Sequence, residues 1–137
     1  MNAAMRWIRS AAMLAACLTV AAGGGAAVSS DTPSRTELKR ADLSGAPGME
    51  VISSISVYMT GAELPRHFHH GVETGYVVAG ALVQYPGKPP VMLETGTAIL
   101  NLRDAPHGGF KVVGAGPLKL FTVHVVDKGK PLYEWVN

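Results

Sequence analysis

Histidines and a glutamate lie close together in the segment GAELPRHFHHGVETGYVVAG, residues 61 to 80. Residues two apart in a β-strand point to the same side, so His67 and His69 project together with Cα atoms roughly 6.5 to 7 Å apart. Two imidazoles at that distance can converge on one ion at about 2.1 Å from each nitrogen. Glu73 follows the turn HGV, and we expect a chain reversal at Gly71 to return its carboxylate to the histidine pair.

A third imidazole is available from His107 in the segment DAPHGG, where it is expected to open a later strand behind Pro106. Imidazoles and a carboxylate form a mixed nitrogen and oxygen set, which suits a transition metal and is poor for calcium. The sequence therefore predicts one divalent ion of Fe, Mn, Zn, Ni or Cu, held by His67, His69, Glu73 and His107. An octahedral ion would keep two positions open, as a catalytic site requires. Glu73 is also the candidate catalytic residue, as a base.

The other two histidines are interpreted as lying outside this set. His70 has the wrong strand parity and is expected to be a turn residue. His124 lies in the segment LKLFTVHVV. An ordinary strand histidine is the favoured interpretation there, and a buried group that supports a ligand is the alternative.

Short strands must position these side chains. EVISSISVYM alternates and is rich in β-branched residues, and further short strands are expected in GYVVAGALVQY, VML and TAIL. HGGFKVVGAG and LKLFTVHVV are expected to form a closing pair joined by residues 114 to 117. No helical periodicity follows the N-terminal segment, so residues 50–137 are predicted to form an all-β barrel or sandwich. Residues 28–49 are interpreted as a polar leader with an edge strand near residues 37 to 40.

Residues 1–27 have the order of a cleaved secretory signal. Arg6 and Arg9 precede an apolar run, and small residues follow. The run is shorter than the ~20 residues that span a bilayer, so no membrane span is expected. We therefore predict a periplasmic or secreted protein. The alternative is a membrane-anchored lipoprotein, because Leu14 to Cys17 resembles a lipobox that would end the signal before a lipidated Cys17.

Composition narrows the partners. The chain has 137 residues, typical of one domain, and 12 Lys and Arg against 10 Asp and Glu. Removal of Arg6 and Arg9 would leave ten of each sign, and no basic stretch is interleaved with aromatics, so no nucleic-acid partner is expected. Cys17 is the only cysteine. A mature domain without it has no disulfide and no thiolate ligand.

The histidine segment resembles the first motif of the cupin superfamily without a mismatch. The matching positions are Gly61, His67, His69, Glu73 and Gly80. The second motif is present in part, since Gly96 and His107 have the family spacing. Its usual proline, glycine and asparagine are replaced by Leu102, Asp104 and Lys111. The resemblance covers about residues 37 to 133 and is strongest to small single-domain cupins of the quercetin-dioxygenase-like type.

This resemblance implies a small cupin-type jelly-roll barrel with the metal inside, and a homodimer. It implies a metal-dependent, dioxygenase-like oxidoreductase that acts on a small organic molecule. The residues leave open whether the protein is an enzyme. The alternative is a non-catalytic module, a sensor or carrier that binds a metal or small-molecule ligand without turnover.

Overall fold

The computed structural model describes residues 34–136, and the predicted signal at 1–27 lies outside them. Within the described residues all regular secondary structure is β. The strands are β1 Ser34–Asp42, β2 Met49–Tyr58, β3 Glu63–Leu64, β4 His67–Phe68, β5 Gly71–Ala79, β6 Ala81–Gln84, β7 Val91–Leu93, β8 Ala98–Asn101, β9 Phe110–Val112, β10 Leu118–Asp127 and β11 Glu134–Trp135. No helix among residues 34–136 has the length and apolar character needed to cross a bilayer.

The strands form two main antiparallel sheets. One has five strands in the order β1-β2-β10-β5-β8, and the other has four in the order β3-β9-β6-β7. β11 and β4, which are far apart in sequence, pair to form a two-stranded antiparallel ribbon. From β5 to β10 the chain crosses repeatedly from one sheet to the other, which is how a jelly roll is wound. This confirms the predicted all-β jelly-roll fold class.

The predicted closing pair is wrong. β10 lies between β2 and β5 in the five-stranded sheet, whereas β9 pairs with β3 and β6 in the other sheet. The loop between β9 and β10 therefore carries the chain across the barrel instead of closing a hairpin. Sequence proximity suggested a pair, but the hydrogen bonds of each strand are already used by strands that are distant in the chain.

Alternation along β2 and β10 divides the barrel interior into two ends. Along β2, alternate positions are buried and the others half-buried, and the buried positions include the polar residues Glu50, Ser54 and Ser56. At one end, Tyr58, Leu118 and Leu120 join an apolar core with residues of β5, β6 and β9. At the other end β10 points Thr122 and His124 inward, and both are buried. The core thus fills one end and leaves polar side chains to line the other.

The polar leader contributes a strand. β1 runs antiparallel to β2 as the edge of the five-stranded sheet and includes residues 37 to 40, where an edge strand was expected. Its charged side chains stay mostly exposed, which is usual for an edge strand. Arg40 pairs with the buried carboxylate of Glu50, with Nη1 and Oε2 2.6 Å apart.

Candidate metal centre

The structure brings together all four side chains of the predicted ligand set. His67 lies in β4, His69 directly after it, and Glu73 in β5. His107 pairs with His67 through an isolated bridge in which each main-chain N–H donates to the other's carbonyl, at 3.0 and 2.8 Å. His67 and His69 are almost fully buried and Glu73 is buried. The bridge therefore delivers the third imidazole from a loop 38 residues beyond His69.

The polar atoms of this cluster are within a few ångströms of one another. Glu73 Oε2 lies 3.4 Å from His69 Nε2 and 3.2 Å from His107 Nε2. The Nε2 atoms of His69 and His107 are 3.1 Å apart. His67 completes the cluster, its ring centroid 4.4 Å from that of His107. His67, His69 and His107 thus form a group that could hold a metal ion.

Main-chain carbonyls fix the tautomer of all three imidazoles. Nδ1 of His67 donates to Pro65 O and Nδ1 of His107 donates to Ala105 O, each at 2.9 Å. Nδ1 of His69 donates to Leu132 O. A carbonyl oxygen only accepts hydrogen bonds, so the proton of each neutral ring must be on Nδ1. The three Nε2 atoms are left with free lone pairs.

These free lone pairs point to a cation. Two unprotonated Nε2 atoms that face each other at 3.1 Å repel unless something positive lies between them. Two ligand nitrogens about 2.1 Å from one ion and this far apart subtend an angle of roughly 95° at it. That angle is close to the right angle between neighbouring ligands of an octahedral ion. The donor set and its spacing fit a transition-metal ion.

Burial and the carboxylate set the protonation states. Burial lowers the pKa of His67 to about 4, so its imidazole is neutral and able to bind metal at neutral pH. Burial would raise the pKa of Glu73, but the close contacts of its carboxylate with the imidazoles of His107, His124 and His69 outweigh burial and hold the pKa well below its usual range. Burial acts to lower the pKa of His107, and its contact with Glu73 reverses the direction and raises it. Glu73 is therefore an ionised carboxylate.

Two side chains flank Glu73 from neighbouring strands. Glu73 pairs in register with Asn101 of β8 on one side and His124 of β10 on the other. Asn101 Nδ2 donates to Glu73 Oε2 at 2.7 Å, and His124 Nε2 lies 3.3 Å from Oε1. His124 is fully buried and neither ring nitrogen has a well-directed hydrogen bond within residues 34–136. The favoured interpretation of His124 as an ordinary strand residue is wrong, because its side chain faces the site.

Asn101 was missed by sequence reasoning because its link to Glu73 is purely a matter of register. The only signal was that residue 101 ends a short strand in front of the His107 loop.

That loop also contains Asp104, the one non-glycine residue with positive φ, 56°, among residues 34–136. Asp104 occupies the place of the cupin motif's usual glycine, and aspartate tolerates this conformation better than most residues.

Other expectations need correction. His107 does not open a strand, since β9 begins at Phe110. Gly71 is not a reversal point: it begins β5, and β4 and β5 do not pair with each other. A Cβ on Gly71 would lie 2.1 Å from Val125 O, so glycine is needed there for close approach to β10. His70 lies away from the cluster, as expected, with its ring nitrogens near carboxylates of residues 104 and 134.

The C-terminal segment covers the histidine cluster. β11 pairs with β4, with Trp135 opposite His67, and Val136 N donates to Arg66 O at 2.9 Å. The Tyr133 ring lies with its centroid 4.9 Å from His67 and 5.1 Å from His69, and it stacks on Trp135. Together with the Leu132 carbonyl, this segment encloses two of the three imidazoles.

A cavity of about 180 Å³ adjoins the cluster inside the barrel. His67, Glu73, Asn101 and His107 line one side of it, and residues of the apolar core line the other. The side chain of Tyr58, in β2, lines the cavity. Tyr76, which is half exposed, does not.

A comparison with known protein families identifies the family of this chain. A family model described as "Cupin domain" matches residues 54–124, a little over half of the chain. The chain belongs to the cupin superfamily. The match spans β2 to β10 and contains every side chain of the predicted ligand set. No curated protein matches this cupin.

Solved structures agree with the fold. A conserved protein with a double-stranded beta-helix domain from Klebsiella pneumoniae subsp. pneumoniae is 17% identical, with TM-score 0.56, covering 75% of this cupin and 85% of that chain. A cupin-like protein from Thermotoga maritima is 20% identical, with TM-score 0.51 and coverage of 77% and 76%. A structure of the DMSP lyases RdDddP and RnDddQII is 21% identical, with TM-score 0.50. The match covers 64% of this cupin and 44% of that chain. At these identities the likeness shows the fold alone.

Proposed function

We propose that this cupin holds one divalent transition-metal ion (Fe, Mn, Zn, Ni or Cu) through His67, His69, Glu73 and His107, and acts on a small organic molecule in the adjoining cavity. The observation that carries the proposal is the common tautomer of the three histidines. Each Nδ1 donates to a backbone carbonyl, which leaves three Nε2 lone pairs converging beside a carboxylate.

The bound ion would supply a Lewis acid or a redox centre for a substrate oxygen. The chain's own residues have distinct tasks. Asn101 holds Glu73 Oε2, and His124 lies against Oε1, so the carboxylate keeps one orientation. A carboxylate with such a low pKa is a weak base, and this favours Glu73 as a ligand over the role of general base. The Tyr133 ring covers His67 and His69 and limits access of water from that side.

We propose a dioxygenase-like oxidoreductase as the reaction class, on the motif's resemblance to quercetin-dioxygenase-like cupins. The likeness to a structure of two lyases makes a lyase the competing enzyme class. Oxygen uptake by metal-loaded protein with candidate phenols or diketones separates the two, because a lyase consumes no O2. Asn101→Ala leaves all four ligands in place and is expected to slow turnover, whereas His69→Ala is expected to abolish it.

The second candidate is a non-catalytic module that binds a metal or small ligand. The depressed pKa of Glu73 supports it, since a carboxylate held well below its usual range is a weak base for proton transfer. Such a module would show a ligand-dependent thermal shift and no product. An enzyme would show both the shift and substrate loss.

We further propose that the protein is exported and forms a homodimer. Residues 1–27 support export, and exposed apolar side chains on β5 and β8 support self-association: Tyr76, Val78 and Leu100. Light scattering with Leu100→Lys tests the dimer, which is expected to dissociate. Sequencing the mature N-terminus after expression with the leader tests export and also detects lipidation at Cys17.

A further inference from the structure

The cavity beside the histidine cluster has two chemically different walls. Apart from Tyr133, its apolar lining belongs to the hydrophobic core cluster or packs against it, and includes Tyr58, Tyr85, Phe110 and Leu120. Phe110 makes edge-on contacts with both tyrosines, at centroid distances of 6.2 and 5.8 Å. The other wall consists of polar groups around Glu73. A ligand in this space must therefore be apolar at one end and polar at the other.

The volume limits the ligand to about one ring. The cavity measures about 180 Å³. An apolar cavity of roughly 150 Å³ binds benzene, whereas pockets for drug-sized ligands run from roughly 300 to 1,000 Å³. The side chains around it come from several strands and pack against the core, so the space cannot widen without loss of core contacts. A molecule with several fused rings would have to extend beyond this space.

The charges of the lining favour a ligand with a neutral body. Apart from the histidines, Glu73 is the one ionisable acid or base with a charge at neutral pH among the described residues that line the cavity, and no lysine or arginine lines it. A carboxylate on the body of a ligand would be desolvated against the aromatic wall, where no lining residue supplies a cationic partner. Ser56 and Thr122 offer hydroxyls near the polar side.

We propose that the cavity takes a neutral molecule with a single six-membered ring or a body of that size. Its apolar part packs on Tyr58, Tyr85 and Phe110, and its polar end faces the histidine cluster. This inference rests on the proposed metal site. It names the substrate class of that site and excludes multi-ring flavonols, which the resemblance to quercetin-dioxygenase-like cupins would otherwise suggest.

The test uses zinc-loaded full-length protein, since zinc is redox-inert and prevents turnover. Calorimetry measures three probes: catechol, 3,4-dihydroxybenzoate and a flavonol. Catechol is expected to bind at least ten times more tightly than each of the other two. Equal or tighter binding of the flavonol or of the carboxylate would overturn the inference.

Two variants test the position of the ligand. Leu120→Phe adds volume to the apolar wall and is expected to weaken catechol binding at least tenfold while one zinc per chain is retained. Ile99 also lines the cavity. Ile99→Ala shortens this side chain and enlarges the cavity, so it is expected to improve flavonol binding relative to catechol binding. Leu38→Ala, an exposed leucine of β1, is the control and is expected to change neither.

The zinc content distinguishes a wrong substrate class from a wrong metal site. If the wild-type protein binds zinc and the probes do not follow the predicted order, the substrate class is wrong and the metal site stands. If the protein binds no zinc, the proposed function fails and this inference fails with it.

Discussion

Removal of the C-terminal segment, by ending the chain after Lys130, is predicted to weaken metal binding without unfolding the barrel. The deletion removes Leu132, whose carbonyl accepts the Nδ1–H of His69. It also removes Tyr133, which packs on two of the imidazoles, and β11, which pairs with β4. His69 would then be free to rotate or to move its proton to Nε2, and an Nε2 that carries a proton cannot bind metal.

The magnitude follows from this loss of support. Removing a group that orients a metal-binding histidine typically costs about 10- to 100-fold in affinity. At about 1.36 kcal/mol per factor of ten, this corresponds to roughly 1.4 to 2.7 kcal/mol of binding free energy. None of residues 131–136, the described part of the deleted segment, belongs to the core cluster, so the strands that carry the ligands should remain folded.

Zinc affinity is measured by competition with a chromophoric chelator, and circular dichroism reports the fold. Tyr133→Ala is the matched variant: it removes the covering ring but keeps the Leu132 carbonyl, so it is expected to lose less affinity than the deletion. A truncated protein that stays folded and binds zinc as tightly as the wild type would refute the idea that the segment orients His69.

Three further predictions concern backbone fit and the ion. Gly71→Ala places a methyl group 2.1 Å from a main-chain oxygen of β10 and should lower the free energy of unfolding, measured by urea denaturation, by about 3 kcal/mol. The control is Gly116→Ala, which has open space around it and should stay within about 0.5 kcal/mol of the wild type. Gly108→Ala should weaken zinc binding more than Gly109→Ala in the chelator assay. Both glycines have positive φ, but only Gly108 would bring a methyl group to 3.2 Å from the ring of His67, so equal losses would contradict this reasoning. Zinc at 100 times its dissociation constant should stabilise the protein by about 2.7 kcal/mol, seen as a rise in melting temperature that a chelator reverses; an unchanged melting temperature would speak against a folded-state site.

The grouping of His67, His69 and Glu73 was predictable because the pattern that suggests it is local. The strand parity of His67 and His69, followed by Glu73, lies within seven consecutive residues. The strand in EVISSISVYM was also predictable, but its buried face carries Glu50, Ser54 and Ser56, which apolar alternation does not indicate. The all-β class followed from short apolar runs separated by turns. His107 was nominated because it follows Pro106 in DAPHGG and because its spacing from Gly96 resembles that of the second cupin motif.

The features that the sequence did not predict depend on the register between strands that are distant in the chain. Asn101 and His124 meet Glu73 because β8 and β10 both pair with β5, and no local pattern encodes that alignment. The predicted closing pair failed for the same reason, since strands adjacent in sequence belong to different sheets. Leu132 acts through its main-chain carbonyl, so its side-chain identity carries no signal.

Metal content is the most direct test of the central claim that three Nδ1-protonated histidines and Glu73 hold one ion. Elemental analysis of natively purified protein should find about one equivalent of a transition metal per chain, and the H69A and H107A variants should each lose most of it. Wild-type protein that contains no transition metal, and that takes up none when Fe, Mn, Zn, Ni or Cu is supplied, would contradict the account.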